Sequence, residues 1–518
     1  MFKKFFLTTT CVLTMAFLFT GLSFIFADYQ VEAQEKTLVI AAWEIPYGLD
    51  PVHEYTPHYL HSVGAIEYLL RVTPDAKIEP ELAESFRSVD ATTWEVKLRP
   101  NVTFWSGKVV DATAVKASLE RMRKLCPQAE PLLKDVRIEV VDDRTLHFTT
   151  IKPNPLLPLN LANRVMGIHN ADSYGDKPNP FDLSVMDLTG FFRVTEFKPN
   201  QEIVLERWDG YWGTRPKLDR IVYKKIVDVQ ARLMAALSGD ADIVRNLSSE
   251  AILALKENKD MELVVIETLS VASVYLHLES PVMQDVRVRQ ALAWGTNRQE
   301  LVTLAQGGFG QPAPSWFATN PAYPKAANVG YTTYDPERAH QLLDDAGWLM
   351  DAATGIRQKD GLALKIRLLS YGTNKPSSEL LQSQWKKLGV QVEVQHSPDY
   401  GIAQSRRAEG TWEAVIERWG TFPTVQYLWR HFALNGDINY GPVNDETINQ
   451  ILDRLATTID AKTHSDLVYQ ANQWIVDTVP IIPLYSLVTL KAKSKKVTGI
   501  ENHFLHWYEI RPDTDISE

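Results

Sequence analysis

The period of the apolar positions changes repeatedly along this chain. Residues 36–42 (KTLVIAA) are a short apolar run rich in β-formers and predict a first buried strand, broken at Leu49, Asp50 and Pro51. Residues 58–70 have helical spacing. Residues 94–98 (WEVKL) alternate strictly, as a half-buried strand does. Asp111 is a good N-cap for a following helix. Residues 137–141 and 145–149 predict a hairpin around Asp142 and Asp143, and the proline-rich stretch 152–158 ends this unit. Alternation returns at 202–206 and 220–224. A helix is predicted over 230–237, then strands after Gly239 and over 261–266. Later come helices at 286–294, 336–346 and 377–388, with strands at 364–369, 390–394 and 481–490. Such succession predicts an α/β fold.

No internal repeat or low-complexity linker interrupts the chain. Lys3 and Lys4 precede an apolar run from Phe5 to Phe26, the pattern of a secretory signal. Cleavage before Asp28 or before Gln34 fits the small residues there. The rival is a retained anchor, since the run is nearly long enough to span a bilayer. After cleavage about 490 residues remain, more than one core usually supports, so at least two lobes are expected. A first crossing between them is placed at Val274–Leu278, with a return over 481–490.

The formal charge is −10, and two units more negative without Lys3 and Lys4. That argues against a nucleic-acid partner. Of two cysteines, Cys11 lies in the signal run, too early for lipid attachment, so Cys126 is left alone and no internal disulfide forms.

Signatures of catalysis are lacking. There is no nucleophile elbow, phosphate loop, dinucleotide fingerprint or HExxH metal helix. His58 and His61, three apart on a predicted helix, could share a face with His53 nearby and Glu44 and Glu54 as outer partners; His431 is a second imidazole suited to a chelated metal. Each has an ordinary helix-surface reading beside the metal one. A glycosidase needs two carboxylates at fixed separation, and none pair recognisably by spacing.

Five stretches carry a resemblance. They are LAESF at 82–86 with LRPNVTFWSG at 98–107, GFFRVTEF at 190–197, LERWDGYWG at 205–213, DVRVRQALAWGTNR at 285–298, and YDPERAHQLLDDAGW at 334–348. Together they resemble the peptide/nickel family (family 5) of extracytoplasmic solute-binding proteins of ABC importers, and its nickel- and metal-chelate-binding members in particular. The resemblance implies a two-lobed periplasmic-binding-protein fold (type II, cluster C-like) with an extra subdomain in the first lobe. Its implied layout is a signal peptide at 1–27, lobe I at 34–272 with the subdomain at about 75–195, lobe II at 273–483, and a return to lobe I at 484–518. It also implies a periplasmic monomer that is not an enzyme, whose partners are a small-molecule ligand and an inner-membrane permease.

The segment ERWGTFPTVQYLWRH at 417–431 holds the position that lines the ligand cleft in this family. Trp419 matches an aromatic residue flanking the ligand. Arg164, after PLLPLNLAN at 155–163, matches an arginine that holds ligand carboxylates. Arg418, Phe422, Arg430 and Asn435 complete the expected ligand set, with His431 and His58 as metal candidates. Peptide-binding members often carry an aspartate shortly after the cleft tryptophan, where this chain has TFPTV at 421–425. Nickel receptors can place a histidine further on, where it has LNGDINY at 434–440. The expectation is therefore an opine-like metal chelate, with nickel, cobalt or zinc held by the ligand and no intrinsic cofactor. The alternatives are a di- or oligopeptide receptor, a periplasmic hydrolase, and a chaperone or signalling receptor keeping the fold.

Overall fold

Ten strands form one sheet: β1 (Thr37–Ala42), β2 (Phe192–Lys198), β3 (Glu202–Arg207), β4 (Arg220–Lys225), β5 (Ile243–Leu247), β6 (Met261–Leu276), β7 (Lys365–Tyr371), β8 (Gln391–Ser397), β9 (Ala414–Gly420) and β10 (Ile481–Ser494). Their order is β8-β7-β9-β6-β10-β5-β1-β4-β3-β2. This computed structural model describes residues 35–53, 55–249, 251–422, 424–504 and 509–517. The predicted signal and its cleavage sites, Cys11 and Glu54 lie outside them. No described helix is long and apolar enough to cross a membrane.

β1 is parallel to both β4 and β5, and Leu38, Ile40 and Ala41 are fully buried. A strand covered on both faces needs the unbroken apolar run seen in the sequence. β6 and β10 run antiparallel along nearly their whole length, from Met261 opposite Ser494 to Tyr275 opposite Ile481. Register shifts fall between Glu267 and Val271 and between Ala272 and Ser273. Bulges bend and twist a strand locally, so these two long strands turn between Glu267 and Ser273. On one side of that turn, Leu38, Tyr223 and Phe192 pack one core and Val244, Ala236 and Leu490 another. On the other side, Val274, Leu292, Leu368 and Trp385 form a third, and Tyr275, Trp316 and Phe432 belong to a fourth.

A separate antiparallel sheet takes the strands Ala83–Ser88, Thr93–Leu98, Thr145–Thr150 and Val136–Asp142 in that order. Helix α2 (Ala112–Leu125) is capped by Asp111, whose carboxylate accepts from Ala114 N at 2.8 Å. Leu119, Met122, Phe148 and Cys126 share its core, and burial pushes the Cys126 thiol up. Arg121 ties this unit to the first strand's loop with two bonds to buried Asp50, at 2.8 and 2.7 Å.

The recurrent motifs are joints of this scaffold. Trp105 donates its indole N–H to Gly190 O at 2.9 Å. A Cβ on Gly190 would stand 2.3 Å from the Ala65 backbone, so only glycine allows that approach. Tyr211 and Trp212 both donate to the buried Glu67, at 2.7 and 3.2 Å. Asp285 and Asp335 cap the helices Val286–Trp294 and Pro336–Asp345. Arg298 is buried and gives its guanidinium to the Ala313 and Pro483 carbonyls. Burial lowers its pKa to about 10.

One expected element is shorter than its pattern. The helix read over 58–70 is α1 (Thr56–Ser62), and Leu70 already belongs to a short strand, Leu70–Val72. Gly64 has φ +74°, a left-handed conformation that turns the chain out of the helix. Val63, Ala65, Ile66 and Leu69 are nonetheless all buried. A buried irregular segment mimics helical spacing because every position wants to be apolar.

Candidate functional site

A cavity of about 660 Å³ opens between the segment after α3 (Leu157–Leu161) and the segment after β9. On the first wall the chain leaves α3 through a tight turn. Met166 N donates to Asn163 O at 2.8 Å, and Asn163 Oδ1 accepts from Val165 N at 3.3 Å. Tyr68 OH holds the Arg164 carbonyl at 3.1 Å. The Arg164 guanidinium lies 3.9 Å from the Tyr55 ring centroid, a close cation–π contact. Among the described residues no carboxylate pairs with it, although it lines the cavity.

The facing wall begins where β9 ends. Thr421 donates from its amide and its hydroxyl to Leu269 O, at 2.6 and 3.1 Å, and so pins the turn to β6. Helix α4 (Thr424–Phe432) follows and presents Gln426, Tyr427 and Arg430 to the cavity. Arg430 lies 5.9 Å from the Trp419 ring and 5.4 Å from the Tyr427 ring. Unlike Arg164 it is engaged: both prongs reach Asp437, at 2.8 and 2.7 Å. That fork holds Asp437 below and Arg430 above their ordinary pKa values. Phe422 lines the same cavity and meets Phe504 edge-on at 5.7 Å.

The structure therefore gathers Arg164, Phe422 and Arg430 around one cavity, while half-buried Trp419 is not among its described lining residues and lies behind Arg430, its ring 5.9 Å from that guanidinium. It disperses the other expected residues. Arg418 precedes Trp419 in β9, and successive strand residues face opposite sides. Arg418 lines a different cavity of about 420 Å³ and donates to Asn374 Oδ1 at 2.7 Å. Asn435 sits on an exposed turn after α4, outside the described lining of the main cavity. His58 faces a third cavity of about 110 Å³, with Glu44, Arg245, Lys491 and Glu509.

His431 is 2 % exposed and packed among Tyr275, Trp316 and Trp419, at centroid distances of 5.3, 5.3 and 5.6 Å. Neither ring nitrogen has a hydrogen-bond partner among the described residues. Burial, with Arg430 adding repulsion, lowers its pKa to about 3, so it is a neutral imidazole. No three His, Cys, Asp or Glu side chains among the described residues are grouped to hold a metal ion.

No aspartate or glutamate is among the described residues lining the main cavity. Glu417, three residues before Gly420 in β9, is buried, which pushes it up to about 7, and it is engaged by Arg407 and the Tyr371 hydroxyl, both at 2.9 Å. The site can hold an anion against an aromatic and amide surface; it offers no acid/base pair. Spacing gave no signal for Tyr55, which seats Arg164, nor for Gln426. Tyr427 lay in the aromatic segment but was not singled out.

Comparison with known proteins bears on the family and the fold. A nickel-binding periplasmic protein of Escherichia coli is 26% identical over 415 residues, 76% of this chain and 78% of the relative. A dipeptide-binding protein of the same organism is 23% identical over 523 residues, covering 92% and 94%. A crystal structure described as a nickel ABC transporter from Bacillus halodurans superposes with a TM-score of 0.82 at 29% identity, over 93% of this chain and all of that one. The family model described as bacterial extracellular solute-binding proteins, family 5 Middle, matches residues 77–439. This chain thus belongs to family 5 of the bacterial extracellular solute-binding proteins, which bind solutes and do not transform them.

Proposed function

We propose that this protein is the periplasmic receptor of an ABC importer, and that it captures a small carboxylate-bearing ligand such as a nickel or other metal chelate. The observation that carries this reading is Arg164. A guanidinium seated on Tyr55, with no described carboxylate partner, stands at the wall of a 660 Å³ cavity. A cation left unpaired at a partly buried site favours an anionic ligand. Tyr427 and Phe422 add apolar contact without demanding one chemistry, with Trp419 behind Arg430.

In this reading the small molecule coordinates nickel, cobalt or zinc, and the protein recognises the complex. The imidazole of His431 lies inside an aromatic cluster, and His58 faces another cavity. Neither joins Arg164 in one coordination sphere, so the metal arrives within its chelate. The lobes are residues 34–272 and 273–483, with 484–518 returning to the first. They close by bending near Leu269–Leu276 and Ile481–Leu484, where the bulges of β6 lie. A di- or oligopeptide is the second reading. It is favoured by the amides of Asn163 and Gln426 in the lining, which suit a peptide backbone.

Isothermal titration separates the two. Saturable heat with nickel plus L-histidine or another carboxylate chelator, and none with nickel alone or dipeptides, supports the chelate. Saturation by dipeptides without metal overturns it in favour of the peptide.

A further inference from the structure

Arg418 leaves a second guanidinium unaccounted for. It lines the cavity of about 420 Å³ that shares Ser270 with the main one. The walls come from both sides of the strand crossing. Ser249 follows β5, Thr373 follows β7, and Gln306 lies beyond the helix Val286–Trp294. No acidic residue is among its described lining residues.

The Arg418 Nε bonds Asn374, a neutral amide, and no carboxylate among the described residues pairs with the guanidinium. Ser249, Ser270 and Thr373 give their hydroxyls to no other described residue. Other wall hydroxyls are engaged, among them Thr268, which bonds Leu487 O at 2.9 Å, and Ser486, which bonds Glu267 Oε1 at 2.8 Å. What remains is one cation, Arg418, and the hydroxyls of Ser249, Ser270 and Thr373 lining the same cavity. Guanidinium forks and hydroxyls together match the oxygens of a tetrahedral oxyanion.

We propose that this groove is a second ligand site, one that takes a small oxyanion such as inorganic phosphate or sulfate. The site rests on its own residues; only the statement that it joins two lobes rests on the lobe division proposed above. An anion here touches Ser249 after β5 and Thr373 after β7.

The test is calorimetric titration of the full mature protein with inorganic phosphate at constant ionic strength, using wild type, Arg418→Ala, Arg418→Lys and Arg164→Ala. The expected result is one saturable site in wild type and in Arg164→Ala. Arg418→Ala should weaken it on the order of 10- to 100-fold, the loss expected for a charge-assisted bond. Arg418→Lys, which keeps the charge and loses the fork, should fall between. Hydrogen exchange should then show phosphate protecting residues 268–270 and 486–490. Absence of saturable binding in wild type overturns the proposal. So does binding lost in Arg164→Ala and kept in Arg418→Ala, which would put the anion in the main cavity and leave the cargo reading standing.

Discussion

Arg164 and Arg430 face the same cavity from opposite walls, yet they stand in different electrostatic states. Arg164 is stacked on Tyr55 and free of carboxylates among the described residues. Arg430 is forked onto Asp437, a partner 59% exposed. A ligand carboxylate meeting Arg164 gains a partner and breaks none. One meeting Arg430 must displace or share Asp437, and the gain is the difference between two similar bonds. Affinity should therefore be concentrated on the first wall, while the second wall tunes shape and selectivity.

The largest effect that could break this comparison is at Arg164. Arg164→Ala should lose about 2–5 kcal/mol of chelate binding by calorimetry, the cost of truncating one side of a desolvated charge pair. Near-native affinity in that variant would remove Arg164 as the anchor. Just behind Arg430, His431→Phe should raise folding stability by about 1–3 kcal/mol at neutral pH, because it removes two buried nitrogens without partners. The pH dependence has a definite sign. The folded imidazole titrates near 3 against an ordinary 6.5, so its contribution is present above about 6.5 and drains as pH falls toward 3. The gain in His431→Phe should thus be larger at pH 5 than at pH 8 in denaturant titrations. Loss of nickel-chelate binding in that variant would instead make His431 part of the site.

Smaller still is the effect expected at the engaged pair. Asp437→Asn should free Arg430 and tighten carboxylate binding by about 0.5–1 kcal/mol, the scale of a partly exposed ion pair. Weaker binding in that variant would show that Asp437 itself contacts the ligand, as it would for a cationic group. Phe422→Asp places an acid on the cavity wall. Titration with dipeptides should show amine recognition there only under the peptide reading.

Much of the architecture was legible because its strands and caps obey local rules. β1 reads as buried from its apolar run, and Asp111, Asp285 and Asp335 all cap the helices they precede. The failure at 58–70 was also local in form: a buried loop has no polar face to break the period. The site was legible in part. Arg164, Phe422 and Arg430, each on a segment the sequence singled out, line one cavity. Arg418 does not, although the strand alternation that turns it away from Trp419 was available in the residues. The engagement of Arg430 by Asp437, the seating of Arg164 on Tyr55 and the burial of His431 depend on contacts between distant segments. No spacing along the chain encodes them.

The most direct measurement is native mass spectrometry of the protein purified from its native host, with metal analysis of the same sample. The account predicts a co-purifying small mass with stoichiometric nickel, cobalt or zinc, lost in Arg164→Ala. A ladder of peptide masses without metal would contradict it and make this an oligopeptide receptor.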